Sequence, residues 1–123
     1  MAAISRFEDI EAWKQARVLT RHVYRHTSAG EWARDYALRD QIRRSSLSVL
    51  SNIAEGYGRQ SDQEFHRFLC IARGSAAEAK AQLYVALDQG YLDEASFTEL
   101  AELADKVSRL ISGFMNYLGK RKD

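Results

Sequence analysis

A long amphipathic pattern runs through "FTELAELADKVSRLISGFMNYL", residues 97–118. Its apolar residues recur at alternating steps of three and four, at Phe97, Leu100, Ala104, Val107, Ile111, Phe114 and Leu118. This spacing is a heptad seam, the pattern of helices that pack side by side at a crossing angle of about 20°. Asp93 precedes the seam and is a good N-cap residue. The pattern predicts an amphipathic helix over residues 94–118.

Three further helices are predicted upstream, because apolar residues repeat with a helical period over residues 8–27, 34–57 and 61–89. The chain has no proline and only 7 glycines, so little opposes long helices. Four amphipathic helices with short connections predict an all-α fold, an up-down-up-down four-helix bundle. We expect residues 1–123 to form a single domain of this kind.

Several local signals set the expected helix ends. A serine followed three residues later by glutamate forms a capping box, and this pattern starts at Ser5 and at Ser61. Glycine favours helix termination, so Gly30 and Gly90 are expected stops. The tail over residues 119–123 is expected to fray.

The composition excludes several functional classes. The chain of 123 residues has a net charge of +1, so the whole protein is not a polycation made for nucleic acid. No apolar run approaches the ~18 residues that cross a bilayer, and the N-terminus shows no signal-peptide core. His66 and the single cysteine, Cys70, are too few ligands for a structural zinc site. We therefore expect a cytoplasmic protein with no membrane partner, no bound metal and no cofactor.

The second helix carries more apolar surface than one bundle face requires. One stripe holds Leu38, Ile42, Val49 and Ile53, and a second stripe of Leu47, Leu50 and Ala54 lies about 100° further round the helix. This helix could be the most buried one of a monomer, or the second stripe could pack on another subunit. Because large exposed apolar patches are rare on monomers, we predict a homo-oligomer.

The segment "SNIAEGYGR", residues 51–59, contains residue types found in active sites. The second helix has a narrow polar arc whose residues step by three or four: Asp40, Arg44, Ser48, Ser51 and Glu55. Gln41 and Asn52 lie on its flank. We interpret Gln41, Arg44, Asn52, Glu55 and Gly56 as a structural motif or subunit interface. The alternative is a catalytic carboxylate at Glu55, which has no histidine, second carboxylate or nucleophile nearby in sequence.

The glycines of "EGYGRQS" do not form a phosphate-binding loop, because a P-loop needs a preceding strand and a Gly-Lys-Ser/Thr ending. They are expected to end the second helix. Arg59 then precedes the N-terminus of the third helix, where free N–H groups favour an anion, so it is a candidate nucleic-acid-binding residue.

The first helix has no acidic residue between positions 12 and 30. Its cations step by three or four residues along one face, away from the apolar side, at Lys14, Arg17, Arg21 and Arg25. Such a stripe can follow a phosphate backbone, so we predict that it binds RNA. The alternative is an ordinary solvated face that pairs with acids of another helix.

Two histidines on the same helix suggest an enzymatic alternative. "RVLTRH" (17–22) and "RHVYRH" (21–26) match the Arg-x4–6-His pattern of HEPN-type ribonucleases. A five-residue offset places the two side chains about 140° apart on a continuous helix, so they would not converge without a partner subunit. No catalytic residue is therefore predicted, and the protein is expected not to be an enzyme.

Three segments carry a resemblance to a known family: "FEDIEAWKQA" (7–16), "LRDQIRRSSLSVLSNIAEGYGR" (38–59) and "EFHRFLCIARGSAAEAKAQL" (64–83). Together they resemble the four-helix-bundle proteins encoded by intervening sequences in bacterial 23S rRNA genes, historically named S23 ribosomal proteins. The resemblance implies a left-handed bundle, a ring-shaped homopentamer and no known enzymatic activity.

The same family includes the accessory variability protein of diversity-generating retroelements. That relative binds a reverse transcriptase and nucleic acid through a strongly basic surface, whereas this chain has a net charge of only +1. The near-neutral charge favours the intervening-sequence branch. The resulting expectation is a pentameric, non-enzymatic protein that binds RNA or an RNA–protein complex, with a purely structural scaffold as a further alternative.

Overall fold

A computed structural model describes residues 4–121 of the chain. The protein in this range is helical and contains no strand, as predicted. Its four long helices are α1 (Glu11–Thr27), α2 (Tyr36–Gly58), α3 (Asp62–Asp88) and α4 (Glu94–Lys120). Short 3-10 turns, Phe7–Asp9 and Trp32–Arg34, precede α1 and α2. None of the helices in this range is both long enough and apolar enough to cross a bilayer.

The helices form the predicted up-down-up-down bundle. Each packs against the next along the chain, and α4 closes the bundle against α1. Hydrogen bonds show the antiparallel arrangement of α2 and α3: Ser48 meets Ser75 at 2.8 Å, while Ser45, one turn earlier, donates to Gln82, two turns later, at 2.9 Å. The short connections leave no other direction for consecutive helices.

The heptad seam of α4 faces the core, as predicted. Leu100, Ala104, Val107, Ile111 and Leu118 are buried there. The core has two clusters along the bundle axis. One, near the start of α1, includes Ile53, Leu69 and Ile111, and the other, near the loop between α1 and α2, includes Leu19, Leu83 and Leu100.

The predicted start of the first helix was wrong. The capping box at Ser5 is not formed, and α1 begins at Glu11 instead of residue 8. Ile10 precedes the helix in an extended conformation and is 1% exposed. Phe7 packs edge-on against Trp13 with ring centroids 5.1 Å apart. Burial of these apolar side chains outweighs the local capping signal.

The end of α4 is more ordered than the sequence suggested. The helix continues to Lys120 instead of ending at residue 118, and Arg121 donates two hydrogen bonds to the carboxylate of Asp62 in the first turn of α3. This ion pair ties the two helix ends together. Residues 122 and 123 of the expected frayed tail lie outside the described range.

Other helix ends follow the sequence signals. Ser61 Oγ accepts a hydrogen bond from the backbone N–H of Glu64, and Asp93 Oδ1 accepts one from the N–H of Ser96 at 2.8 Å. That hydrogen bond lowers the pKa of Asp93 because it stabilises the ionised carboxylate. Gly90 follows α3 with a φ of +78°, a left-handed conformation that glycine adopts without strain.

Gly56 marks the closest approach of α2 to α3. A Cβ atom at this position would lie 2.7 Å from Phe68 Cβ and 2.9 Å from Phe65 Cδ1. We expect Gly56→Ala to lower the free energy of unfolding by about 1–3 kcal/mol, because α3 must move away. The control Gly113→Ala places a Cβ where, apart from the backbone of α4 itself, no atom of residues 4–121 lies within 4 Å, and it should raise the free energy of unfolding by about 0.5–1 kcal/mol through helix propensity.

Urea denaturation of both variants checks this prediction. The two substitutions are chemically identical and both sit within helices, so their difference reports the packing alone. Equal effects of the two variants would contradict the close contact at Gly56.

Candidate nucleic-acid interface

The four cations predicted to bind RNA share the outer side of α1. Lys14, Arg17, Arg21 and Arg25 are all exposed, whereas the opposite side of the helix is buried in the bundle. The helix forms with this orientation because its apolar residues repeat every three or four positions, which places every cation of the stripe away from the core.

None of these four cations forms an ion pair with a carboxylate among residues 4–121. The alternative, that acids of a neighbouring helix neutralise the stripe, is therefore not seen within the described part of the chain. An unneutralised row of cations keeps its full attraction for a polyanion.

Helix α2 adds one cation and α1 adds one aromatic ring to this surface. Arg43 Nε donates a hydrogen bond to Thr27 Oγ1 at 2.8 Å, and the guanidinium carbon lies 4.4 Å from the ring centroid of Tyr24. We call Lys14, Arg17, Arg21, Arg25, Arg43 and Tyr24 the basic face. The sequence pattern did not predict a role for Arg43 and Tyr24, because their proximity depends on how α1 and α2 align.

A second stack of arginine on tyrosine lies at the start of α2. The guanidinium carbon of Arg39 is 4.7 Å from the ring centroid of Tyr36. Arg39 also donates to Asp40 Oδ1 at 2.9 Å and to the carbonyl of Ala33 at 3.0 Å. Because Asp40 neutralises Arg39, this end of α2 contributes an exposed ring and little net charge.

Several side chains on or beside the polar arc of α2 form hydrogen bonds inside the chain. Gln82 donates to Gln41 Oε1 at 3.3 Å, and Asn52 donates to the carbonyl of Ser48 at 2.8 Å. Arg44 is exposed and has no carboxylate partner among residues 4–121. Gln41 and Asn52 therefore have a structural role between or along helices, and contact with another subunit stays a prediction.

The segment "SNIAEGYGR" is the last part of α2, which continues through Gly58. Glu55 accepts a hydrogen bond from Arg59 Nη2 at 3.0 Å, and the Arg59 guanidinium lies 5.0 Å from the ring of Phe68. Arg59 is thus held against α3, on the other side of α2 from the α1 stripe. The structure does not bring it together with Lys14, Arg17, Arg21 and Arg25.

The N-terminus of α3 is a poor anion site, contrary to what Arg59 suggested. Asp62 and Glu64 already occupy the first turn of the helix. Arg67 donates to Glu64 and lowers the pKa of this carboxyl group, while Asp62 accepts hydrogen bonds from Arg121 and raises the pKa of the guanidinium. These acids use the favourable helix-end position that an external anion would need.

Three concave regions occur at the end of the bundle where α1 begins, and the most open of them, about 270 Å³, is lined by residues that include Asp62 and His66. Of the other two, one has a volume of about 300 Å³ and is lined by residues that include Tyr57, Phe65 and Tyr117. The other, about 410 Å³, is a mainly apolar groove between α1 and α4 lined by residues that include Leu110 and Phe114. The linings of the 300 Å³ and 410 Å³ regions contain no histidine, cysteine or lysine, and Ser61 and Asp62 in the first of them are engaged by the N–H of Glu64 and by Arg121.

The Arg-His pairs of the ribonuclease alternative diverge within the chain. Helix α1 is continuous from Glu11 to Thr27, and His22 Nδ1 lies 3.7 Å from Glu99 Oε1 on α4. Arg17 points to the other side, with its guanidinium carbon 5.9 Å from the ring of Trp13. Among residues 4–121, no group of three or more His, Cys, Asp and Glu side chains is placed to hold a metal ion.

The second apolar stripe of α2 is only partly covered. Leu50 and Ala54 are half-buried, and Leu50 packs against the core, whereas Leu47 remains 39% exposed next to the basic face. Part of the apparent surplus is therefore used inside the bundle.

Comparisons with known proteins agree with this architecture. A crystal structure of a protein of unknown function from the S23 ribosomal protein family of Bacteroides thetaiotaomicron has the same fold, with a TM-score of 0.78. It is 20% identical in sequence, and the match covers 85% of this chain and 95% of that chain. No curated protein matches the sequence. The sequence profile of the 23S rRNA-intervening sequence proteins matches residues 8–113, and the chain belongs to that family.

Proposed function

We propose that the protein is a non-enzymatic, homo-oligomeric RNA-binding protein, and that RNA binds across the basic face. The observation that carries this proposal is the row of five exposed or half-buried cations without a carboxylate partner among residues 4–121. The chain as a whole has a net charge of only +1, so this concentration of positive charge is local.

The dimensions of the basic face suit a nucleic-acid strand. From Lys14 to Arg25 the α1 axis rises about 16 Å. One strand of a DNA duplex carries a phosphate about every 3.4 Å along its axis, and at a spacing of this order the stripe spans about five phosphates. Each cation that neutralises a phosphate releases a counterion, which favours binding and makes it sensitive to salt.

Assembly into a ring would repeat the basic face around a symmetry axis. The resemblance to the family implies five subunits, and the exposed Leu47 is available for a subunit contact. Several copies of a weak site on one assembly raise the overall affinity through effective concentration. Light scattering should therefore give a mass well above the 14.0 kDa of one chain, and a monomer at micromolar concentration would contradict the oligomer.

Within residues 4–121 the Arg17 and His22 side chains of the ribonuclease pattern do not converge, which supports a binding role over the ribonuclease alternative. His22 and Arg17 face different neighbours in the chain, so a ribonuclease site would need residues from two subunits. General acid–base catalysis requires both groups within hydrogen-bond reach of the same substrate atom or of a bridging water.

Labelled rRNA fragments incubated with the protein would test the proposed function. We expect a mobility shift without cleavage, and five phosphate contacts predict that log K falls with log salt with a slope of about −3.5 for a single strand. Cleavage would favour the ribonuclease, and no shift at low salt would favour a structural scaffold. Either of these two results would overturn the proposal.

A further inference from the structure

We propose that the basic face binds single-stranded RNA, and that Tyr24 and Tyr36 stack on its unpaired bases. This inference rests on the proposed RNA-binding function and adds the class of RNA. It follows from how these two tyrosines differ from the others in the chain.

Four of the six tyrosines pack against another aromatic ring. The pairs are Tyr57 with Phe65, Tyr84 with Phe97, Tyr91 with Trp32, and Tyr117 with Phe114. Tyr24 and Tyr36 contact no aromatic ring among residues 4–121, and neither hydroxyl has a hydrogen-bond partner in that range. Their rings therefore take no part in the aromatic pairing that holds the other four tyrosines.

Both rings lie beside a fixed guanidinium and remain exposed. Tyr24 is 37% exposed next to Arg43, and Tyr36 is 63% exposed next to Arg39. Hydrogen bonds to Thr27 and to the carbonyl of Ala33 hold the two arginines in place. Each site places an aromatic ring beside a guanidinium that needs no further ordering when a ligand arrives. Arg43 adds an unpaired positive charge at Tyr24, whereas Asp40 neutralises Arg39 at Tyr36.

Proteins that bind single-stranded nucleic acid combine exposed aromatic rings with a positively charged surface. A base stacked on an aromatic side chain strengthens binding by roughly 5–150-fold, and arginine stacks on bases as well. In an A-form duplex the bases are stacked on one another, and proteins contact mainly phosphates and 2′-hydroxyls. Cations alone would bind both forms of RNA, so the rings give a preference for the unpaired strand.

The two stacks are separate enough for two bases of one strand. Tyr36 and Arg43 are seven residues apart on α2, which is about 10 Å along the helix axis. The cations of α1 flank the Tyr24 stack, so a strand that follows them would pass its bases over the ring.

The test compares two double variants of the full chain. Tyr24→Leu/Tyr36→Leu removes both aromatic surfaces, and the matched control Tyr24→Phe/Tyr36→Phe keeps them. We expect the leucine variant, which loses two stacking surfaces, to bind a short oligoadenylate at least about 30-fold more weakly than the wild type, and the phenylalanine variant to bind it equally well. Neither variant should change the affinity for a blunt RNA duplex measured at the same salt concentration.

Other outcomes separate this inference from the proposed function. If the leucine variant binds oligoadenylate like the wild type, or loses duplex affinity to the same extent, stacking is wrong while RNA binding stands. A change in the mass of the leucine variant by light scattering would place the rings at a subunit contact and would also overturn the inference. If the wild-type protein binds neither RNA, the proposed function itself fails.

Discussion

Replacement of Arg17, Arg21 and Arg25 by glutamate is expected to weaken RNA binding by about 100-fold or more at 0.1 M salt. All three side chains are exposed and have no carboxylate partner among residues 4–121. Each phosphate contact contributes about 0.7–0.9 to log K at this salt concentration, so three contacts give about two powers of ten. Repulsion between the new carboxylates and the phosphates adds to the loss.

A matched control distinguishes an effect of where the charge is changed from an effect of the change in net charge. Lys106→Glu/Arg109→Glu/Lys120→Glu changes the net charge by the same amount on α4, where these cations are exposed and lie outside the basic face. Gel-shift titrations should show a much smaller loss for the control than for the α1 variant. Equal losses would mean that only the overall charge matters and that the basic face is not the binding site.

Trp32→Ala is expected to lower the free energy of unfolding by about 3–5 kcal/mol, the range for deletion of a large buried aromatic side chain. Trp32 lies in the 3-10 turn before α2, is 1% exposed and stacks on Tyr91 with ring centroids 6.0 Å apart. It contributes to the core cluster with Leu83 and Leu100. Its indole N–H has no hydrogen-bond partner among residues 4–121, so the loss reflects packing alone.

Urea denaturation at low temperature measures this effect, because small domains have only about 5–15 kcal/mol of stability and the variant can be partly unfolded. Tyr36→Ala is the control, since it removes an aromatic side chain that is 63% exposed and should change stability by less than about 0.5 kcal/mol. A loss below about 1 kcal/mol for Trp32→Ala would contradict the role of this turn in closing the bundle.

The fold could be predicted because its main signal is periodic and local. The spacing from Phe97 to Leu118 and the capping residues Ser61 and Asp93 indicate helices without reference to the rest of the chain. The helix ends that differed depend on distant contacts. Ile10 is buried against the bundle, and Arg121 reaches Asp62 on another helix.

In the candidate site, too, local features were predictable and features that depend on distant contacts were not. Helical spacing alone places Lys14, Arg17, Arg21 and Arg25 on one side of α1. The contribution of Arg43 depends on the alignment of two helices, which the pattern of a single helix does not contain. Arg59 looked like a further phosphate ligand because it is charged and precedes a helix, but its guanidinium is held by Glu55.

Mapping where RNA contacts the protein would show whether the basic face binds it. Ultraviolet crosslinking of the wild-type protein to a single-stranded rRNA fragment, followed by mass spectrometry, identifies the crosslinked residues. We predict crosslinks in α1 between Lys14 and Arg25 and in the first part of α2 near Tyr36 and Arg43. Crosslinks confined to α3 and α4, or none under conditions that retain RNA, would contradict RNA binding by the basic face.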